Sequence, residues 1–551
     1  MFIREIESNF MRLKENIFHV TIQMGCVAAM LMLIALPSGA QQIQKKLIET
    51  GFDSPSPKLL LQNLKEIEKM PFDGVMIEAA GTDDKGHAVA IRSTFSPKPW
   101  KESWFKQTIA DLQAVHSRKL TDNLLKIGAN PGVDWFDDAG WKQVVDHWRI
   151  AAKIAKAGNL KGLRFDAEPY GTFRQMSYAA QPGKDKHSFA EYQAKARQRG
   201  KEVMAAVAKV DPNLLIFCYF MNSVNAAAVK SSNMQTSLEK SGYGLYPAFI
   251  NGWLDAAPPS MIFVDGCEGQ GYHANSELDF LKTANVVRNS ALALVAPENR
   301  QKYLSQVQVS FGIYLDAYTN PSTSRYYIDP KGETPAHRLI ENVAYALNAA
   351  SEYVWIYGEK YRWWATPSKN VNPESWEDKL PGINDGLLGL THPDWLLQQK
   401  YAGLDVRDIT KQWHFLPDGA KGQDVTLAAF DDSTWKIIDG GIYWQRAGFP
   451  DYHGPAWYRK TVTVPSFSAG QKAILLFDGV DGTCEVFVNG KKVGEHVVAK
   501  DFTGWNTPFQ IDASSAFRPG KNVIAVQVTS KSTDTASGIN QPVHLLIGTP
   551  R

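Results

Sequence analysis

Two acidic side chains stand two residues apart in the stretch Gly162-Leu-Arg-Phe-Asp-Ala-Glu-Pro-Tyr170. Apolar and polar residues alternate before them as in a short strand, and Pro169 ends the strand because it has no N–H to donate. Residues two apart on a strand point to the same side, so Asp166 and Glu168 should leave the strand end together. Paired carboxylates can act as proton donor and charged partner, because a neighbouring negative charge raises a carboxyl pKa. The alternative is a structural salt bridge between Glu168 and an arginine.

Further acidic residues follow later predicted strands. Glu268 comes after the sixth strand and Glu359 after the eighth, and we rank Glu268 before Glu359 as the partner of Glu168. Aromatic rings stack on the apolar faces of sugars, although each could equally pack in a core. The candidates for holding a ligand are Asp53, Trp135, Tyr170, Tyr272, Asp316, Trp363 and Trp364.

Strands and helices alternate through the first two thirds of the chain. The sequence predicts strands at 46–50, 73–79, 125–129, 161–166, 213–219, 261–265, 307–314 and 352–357. It predicts helices at 57–70, 100–112, 121–124, 141–157, 188–209, 277–294, 335–350 and 393–401. Eight such units favour a (β/α)₈ TIM barrel at 41–404, in which the carboxyl ends of the strands form the catalytic face. An open, doubly wound parallel sheet is the alternative.

The pattern changes after residue 405, where helical spacing gives way to short strands and turns. The sequence predicts strands at 456–464, 473–477, 484–490, 522–528 and 543–547. Asn489-Gly490 and Pro519-Gly520 are typical turn pairs. The chain is therefore predicted to be multidomain, with an antiparallel jelly-roll β-sandwich at 405–551 after the barrel.

Composition excludes several classes of function. Lys and Arg number 59 against 57 Asp and Glu in 551 residues, and with no basic patch we expect no nucleic-acid partner. The three cysteines that follow the predicted cleavage site, Cys218, Cys267 and Cys484, are an odd, scattered set, so we expect buried thiols, with a Cys218–Cys267 bridge as the alternative. The chain shows no zinc spacing, phosphate loop or nucleophile elbow, so no metal and no cofactor is expected.

The first 40 residues have the features of a bacterial signal peptide. Met11-Arg-Leu-Lys14 is basic, residues 27–36 are apolar, and Pro37-Ser-Gly-Ala40 places small residues before a cleavage site at Gln41. The apolar run is too short to cross a membrane comfortably. We therefore expect a periplasmic or secreted protein without a membrane span in its mature chain. The sequence leaves the oligomeric state open.

Five segments of the C-terminal third carry a resemblance. They are Trp457-Tyr-Arg-Lys-Thr461, Leu476-Phe-Asp-Gly-Val-Asp481, Val486-Phe-Val-Asn-Gly490, Pro519-Gly-Lys-Asn-Val-Ile-Ala-Val526 and Gly538-Ile-Asn-Gln-Pro542. Together they resemble the sugar-binding jelly-roll domain of glycoside hydrolase family 2 and related galactose-binding-like modules. The domain order differs, because in that family the sandwich precedes an immunoglobulin-like domain and then the barrel.

The predicted barrel resembles glycoside hydrolase barrels through Asp166-Ala-Glu168-Pro169. This segment is similar to the Asn-Glu-Pro of the large retaining clan, whose Glu is the acid/base, and to the strand-four Asp-x-Glu of the chitinase-like family. The Asn of the first motif and the upstream Asp of the second are absent. The resemblance implies an exported glycoside hydrolase acting on an oligo- or polysaccharide, with Glu168 as acid/base. The other candidate catalytic residues are Asp166, Glu268 and Glu359.

Two other functions fit the same sequence. One is a non-catalytic carbohydrate-binding protein on a barrel scaffold, which would keep the aromatic residues without needing convergent carboxylates. The other is an exported hydrolase or lyase that acts on something other than a glycoside. The acidic residues after strands four, six and eight favour the hydrolase.

Overall fold

The computed structural model describes residues 44–400, 403–417, 424–466, 468, 470–498, 504–505, 507–529 and 536–549, with only the backbone of 397–400. The predicted signal peptide, 1–40, lies outside these ranges. The chain forms two compact units. The first holds the chain up to Glu68 together with Phe72–Ile383, and the second holds Lys69–Pro71 with the chain from Asn384 onwards. The boundary at 404/405 stays a prediction.

A curled sheet of nine parallel strands forms the centre of the first unit. In chain order the strands are β1 (Lys46–Gly51), β2 (Gly74–Ile77), β5 (Leu124–Gly128), β6 (Gly162–Asp166), β7 (Leu215–Cys218), β8 (Phe263–Asp265), β9 (Val307–Val309), β10 (Gly312–Tyr314) and β11 (Tyr353–Gly358). A small hairpin, β3 (Ala80–Thr82) and β4 (Ala88–Ala90), stands apart. The sheet order is β10-β11-β1-β2-β5-β6-β7-β8-β9. The eight predicted strand positions are confirmed, with strand seven divided into β9 and β10.

The division of strand seven brings the two ends of the sheet onto one piece of chain. β9 pairs with β8, and β10 pairs with β11. Between them the Ser310 amide donates to the Asp265 carbonyl at 2.9 Å, and the Phe311 carbonyl accepts from the Trp355 amide at 3.0 Å. One chain segment thus bonds to the strand on either side of it.

Helices surround this sheet. They are Pro57–Gln62, Leu64–Ile67, Lys106–Gln113, Asp138–Ala157, Phe189–Val210, Ala226–Val229, Met234–Lys240, Tyr246–Ala256, Glu268–His273, Glu277–Arg288, Arg300–Gln306, Pro335–Ala349 and Trp376–Lys379. Two further helices, Ile383–Thr391 and Pro393–Lys400, follow in the chain, and from Asn384 onwards they belong to the second unit. The outward side of β6 packs on them, because the Phe165 ring lies 5.1 Å from Trp148 and 5.6 Å from Trp253.

Two glycines let the helices Phe189–Val210 and Tyr246–Ala256 approach closely. A Cβ on Gly200 would lie 2.1 Å from the Phe249 carbonyl oxygen, and one on Gly252 would lie 2.0 Å from that of Arg197. Only glycine fits at such a backbone contact. This packing fixes the outer layer behind β6.

Some helix predictions differ from the structure. The predicted helix 277–294 ends at Arg288 and is followed by the 3₁₀ helix Ser290–Leu294. Residues 121–124 are not helical, because the Asp122 amide donates to the Asp73 carbonyl and the Asn123 side chain accepts from the Val75 amide, which leads into β5. The predicted helix 57–70 is broken at Asn63, whose φ of −111° and ψ of 17° lie outside the helical region.

The second unit consists of two antiparallel sheets around one core. Its strands are β12 (Leu404–Asp408), β13 (Trp413–Pro417), β14 (Lys436–Ile438), β15 (Pro455–Val464), β16 (Lys472–Phe477), β17 (Thr483–Val488), β18 (Lys491–His496), β19 (Phe509–Asp512), β20 (Gly520–Thr529) and β21 (Val543–Gly548). One sheet has the order β12-β21-β16-β19, and the other β14-β13-β15-β20-β17-β18. Both contribute side chains to the core, such as Leu545 and Val526. The five predicted strands are confirmed.

The predicted turn at Asn489-Gly490 joins β17 to β18. Both residues have positive φ, 50° and 87°, as a type I′ turn requires. The three cysteines among the described residues are buried free thiols, so the alternative Cys218–Cys267 bridge does not form. In the ranges given above, no helix combines the length and apolar character needed to cross a membrane.

Candidate active site

The carboxyl end of β6 carries an ion pair inside the sheet. The Arg164 guanidinium lies 3.2 Å from Asp166 Oδ2, and both side chains are buried. The guanidinium also lies over the Tyr219 ring, 4.4 Å from its centroid. Arg164 and Asp166 face inward because Leu163 and Phe165 take the outward positions of the strand. The Asp166 side chain is therefore held in place by Arg164 at the strand end.

Tyr170 joins Asp166 to Glu168, so the predicted convergence of the two acids occurs. The Tyr170 hydroxyl lies 2.9 Å from Asp166 Oδ2 and 2.7 Å from Glu168 Oε2. The Glu168 amide donates to Asp166 Oδ1 at 2.9 Å. Taken as a whole residue, Tyr170 is 69% exposed, although its hydroxyl bonds to the buried Asp166. The group thus lies at the surface end of the strand, where a ligand can reach it.

Glu268 comes to the same group from the end of β8. It begins the short helix Glu268–His273, and its amide donates to the Tyr219 carbonyl at 3.0 Å. Cys267 before it has φ of 44° and ψ of 43°, a left-handed conformation that is uncommon for a residue other than glycine. Such conformations cluster at functional sites.

Burial and mutual charge raise the carboxyl pKa values here. Burial, followed by the charges of Glu168 and Asp166, raises the pKa of Glu268 to about 8. Burial, followed by the charge of Asp166, raises the pKa of Glu168. The pKa of Tyr243 is also raised, by burial and by the charges of all three acids. Asp166, Glu168 and Glu268 therefore form one electrostatic group.

Glu359 is held by two phenols after β11. The Tyr314 hydroxyl donates to Glu359 Oε2 at 2.9 Å, and the Tyr357 hydroxyl donates to Oε1 at 2.7 Å. The Glu359 amide donates to Asp316 Oδ2 at 2.8 Å. Asp316 is fully buried, so it orients Glu359 rather than facing a ligand.

Tyr272 lies between the two groups of acids. Its ring stacks on Tyr314, with centroids 5.1 Å apart, and on Tyr357 at 6.0 Å. Burial, followed by the charge of Glu268, raises its pKa well above the ordinary value. The ring is 7% exposed, so most of its surface already packs against protein.

Asp53 and the tryptophan pair form a buried support. Asp53 Oδ2 accepts from the Trp363 amide at 2.8 Å, and the Asp53 carbonyl accepts from Trp364 Nε1 at 3.1 Å. The Trp363 ring packs edge-on against Phe72 at 4.8 Å. Because Asp53 is 1% exposed and Trp363 and Trp364 are 6% and 5% exposed, the structure places these three in packing roles.

Trp135 is also buried. It stacks on Trp141 with centroids 4.9 Å apart, and its Nε1 donates to the Gln175 carbonyl at 3.0 Å. Its side chain is fully buried. The packing alternative for this residue is thus the one that the structure favours.

Sequence reasoning missed a second buried acidic group beneath the site. Burial, followed by the charge of Asp53, raises the pKa of Glu49 well above 4.5. Burial raises the pKa of Asp53 to about 6 and, with the charge of Arg164, lowers that of Lys126 to about 8. The available signal was a glutamate and a lysine within otherwise apolar strands. Among the described residues, no group of three or more His, Cys, Asp or Glu could hold a metal ion.

Comparison with known families confirms the resemblance of the second unit. Residues 424–543 match the family described as glycosyl hydrolases family 2, sugar binding domain. This part of the chain is therefore similar to that domain family.

Relatives of the chain are glycosidases that are much longer than the matched part. A β-galactosidase of Thermoanaerobacter pseudethanolicus is 32% identical over 138 residues, which cover 23% of this chain and 17% of the relative. A putative β-glucuronidase of Formosa agariphila is 29% identical over 157 residues, which cover 25% and 14%. A solved β-glycosidase from Bacteroides vulgatus is 32% identical over 26% of this chain and 20% of that one, with a TM-score of 0.23. The chain thus spans less than a fifth of the length of the two curated relatives.

Proposed function

We propose that this protein is an exported glycoside hydrolase that cleaves glycosidic bonds of an oligo- or polysaccharide at the carboxyl ends of the parallel strands. The observation that carries the proposal is the convergence of Asp166, Glu168 and Glu268 from β6 and β8 into one group, in which the pKa values of Glu168 and Glu268 are raised. Glycoside cleavage needs a protonated carboxyl and a second carboxylate. Strongly shifted carboxyl pKa values at strand ends are typical of such sites.

The proposed scaffold is a closed (β/α)₈ barrel. The continuous pairing from β8 through β9 and β10 to β11 supports closure, as does the parallel direction of all eight neighbouring pairs. In such barrels the active site lies at the carboxyl ends of the strands. This agrees with where Glu168, Glu268 and Glu359 are found.

The proposed roles follow from the contacts. Glu168 donates the proton to the leaving oxygen, and Glu268, once it has lost its own proton, is the partner that meets the developing positive charge. Glu359 is the alternative partner, because two phenols hold both of its carboxylate oxygens in place. Tyr170 offers an exposed ring to a sugar.

The names of the relatives suggest where to look for a substrate. β-Galactosides and β-glucuronides are the first compounds to test, since the curated relatives are named for them. The second unit, of the sugar-binding type, is proposed to assist the barrel.

Export is tested separately by N-terminal sequencing of the native protein. The sequence should begin at Gln41, whereas a start at Met1 or Met11 would contradict export.

A screen of aryl-glycosides and polysaccharides, with the product anomer identified by NMR, tests the activity. The expected result is release of a sugar with one defined anomeric configuration. Binding of a sugar without turnover would instead support the carbohydrate-binding alternative. For glutamate-to-glutamine variants of the site, Glu239→Gln is the matched control, since Glu239 is an exposed glutamate on the helix Met234–Lys240, outside the proposed site.

A further inference from the structure

We propose that Tyr170 is a positioning residue that stabilises the protonated form of Glu168. Its hydroxyl accepts a hydrogen bond from the protonated Glu168 and donates one to Asp166. The inference deepens the proposed function and rests on it for the use of that proton. The proton arrangement itself follows from the hydrogen bonds alone.

Three oxygen atoms form a short chain at this point. Glu168 Oε2 lies 2.7 Å from the Tyr170 hydroxyl, which lies 2.9 Å from Asp166 Oδ2. Two hydrogen bonds require two protons, and the phenol carries one. If both carboxylates were ionised, one of the two contacts would have no proton, and lone pairs of its two oxygen atoms would face each other. A second proton on one of the acids satisfies both contacts.

The position of the second proton follows from the donors around Asp166. Asp166 Oδ2 faces the Arg164 guanidinium at 3.2 Å, and its Oδ1 accepts from the Glu168 amide at 2.9 Å. Both Asp166 oxygens thus already face a donor. A proton added to Asp166 would point at one of these donors, so the second proton belongs to Glu168.

The phenol keeps its own proton throughout. Burial of the hydroxyl, followed by the negative charge of Asp166, raises the pKa of Tyr170 well above its ordinary value. Glu168 also faces other groups that bear on its titration. Those on the neighbouring strands and loops are Asp166, Arg164, Glu268 and Tyr243, and Tyr170 additionally faces Tyr219.

The direction in which the pKa of Glu168 changes when the phenol is removed distinguishes two hydrogen-bond arrangements. A phenol that accepts from protonated Glu168 stabilises the neutral acid, so Tyr170→Phe should lower the pKa of Glu168. A phenol that only donates to ionised Glu168 would have the opposite effect. Loss of one hydrogen bond of about 1.4 kcal/mol corresponds to a fall of about one pH unit, or a tenfold loss of the protonated form at a given pH.

The test is a pH titration of the full-length protein with ¹³C-carboxyl-labelled glutamate, followed by NMR, with Glu168 assigned from its absence in Glu168→Gln. Tyr178→Phe is the matched control, because the Tyr178 hydroxyl bonds only to the backbone carbonyls of Lys184 and His187 in the same loop. We expect the Glu168 midpoint to fall by about one pH unit in Tyr170→Phe and to stay unchanged in Tyr178→Phe.

The titration is repeated in the Glu268→Gln background, where the fall should persist because Glu268 is outside the oxygen chain. A midpoint that rises or does not move in Tyr170→Phe overturns the proposal. A fall that Tyr178→Phe reproduces does so too, because it would reflect the loop rather than the phenol. No substrate is involved, so an absence of glycosidase activity would refute the proposed function and leave this result intact.

Discussion

Replacing Glu268 by glutamine should stabilise the protein at alkaline pH, although it removes a proposed catalytic group. The pKa of Glu268 is raised from 4.5 to about 8 by burial and by the charges of Glu168 and Asp166. The folded protein therefore holds this proton more tightly than the unfolded chain does. The contribution of this proton to the free energy of unfolding is fully present below the unfolded pKa of 4.5, and it is lost as the pH rises towards 8.

The expected size follows from that difference. Moving a carboxyl pKa from 4.5 to about 8 corresponds to about 5 kcal/mol of unfolding free energy. Glu268 is partly exposed, and solvent screening reduces this to about 2–4 kcal/mol. A glutamine has no carboxyl to ionise and so escapes this loss of stability. Glu268→Gln should therefore be more stable than the natural protein by this amount near pH 8.5 and equally stable near pH 4.

Urea unfolding at the two pH values measures the effect. Hydrogen exchange of β6 amides should report on the first unit, because a chain with two compact units need not unfold in one step. Glu239→Gln, which changes an exposed glutamate, should be neutral at both pH values. A Glu268→Gln variant that is less stable than the natural protein at pH 8.5 would refute the assigned electrostatics.

Three substitutions elsewhere have simpler expectations, each read from unfolding midpoints. Arg459→Met should cost the second unit about 1–3 kcal/mol, because the partly exposed Asp432 loses its buried cationic partner and the buried Val425 carbonyl loses its donor; an unchanged midpoint would contradict this. Gly490→Ala should cost about 1 kcal/mol or more, since Gly490 has φ of 87°, and a gain in stability would count against the type I′ turn. Ser188→Ala should cost about 1 kcal/mol by removing the capping box with Glu191, whereas a neutral result would show that the cap is dispensable.

The parts of the fold that the sequence predicts best are the buried strands. β6 and β7 are continuous or alternating apolar runs, and such runs have few alternatives. The helix Tyr246–Ala256 was missed because nearly all of its residues are buried and it has no polar face to reveal a helical period. Residues 121–124 were assigned wrongly because their structure depends on bonds to residues distant in the chain, such as Asp73.

The candidate site also has a part that the sequence predicts and a part that it does not. Asp166 and Glu168 were paired by local spacing, and Glu268 joins them because parallel strands end at one edge of the sheet. The hydroxyl that links Asp166 to Glu168 could not be foreseen, since it depends on how the loop after β6 turns back. The Trp363–Trp364 pair was proposed as a sugar platform, but Asp53 and Phe72 bind it inside the protein.

The central claim, that Glu168 is the general acid, is tested most directly by the leaving-group dependence of Glu168→Gln. General acid catalysis contributes roughly 10²–10⁴-fold, so kcat should fall by about that factor on a glycoside with a poor leaving group. An activated aryl-glycoside needs little protonation and should lose much less, while Glu239→Gln should match the natural protein on both. Equal losses on the two substrates, or near-normal activity on both, would contradict the role of Glu168.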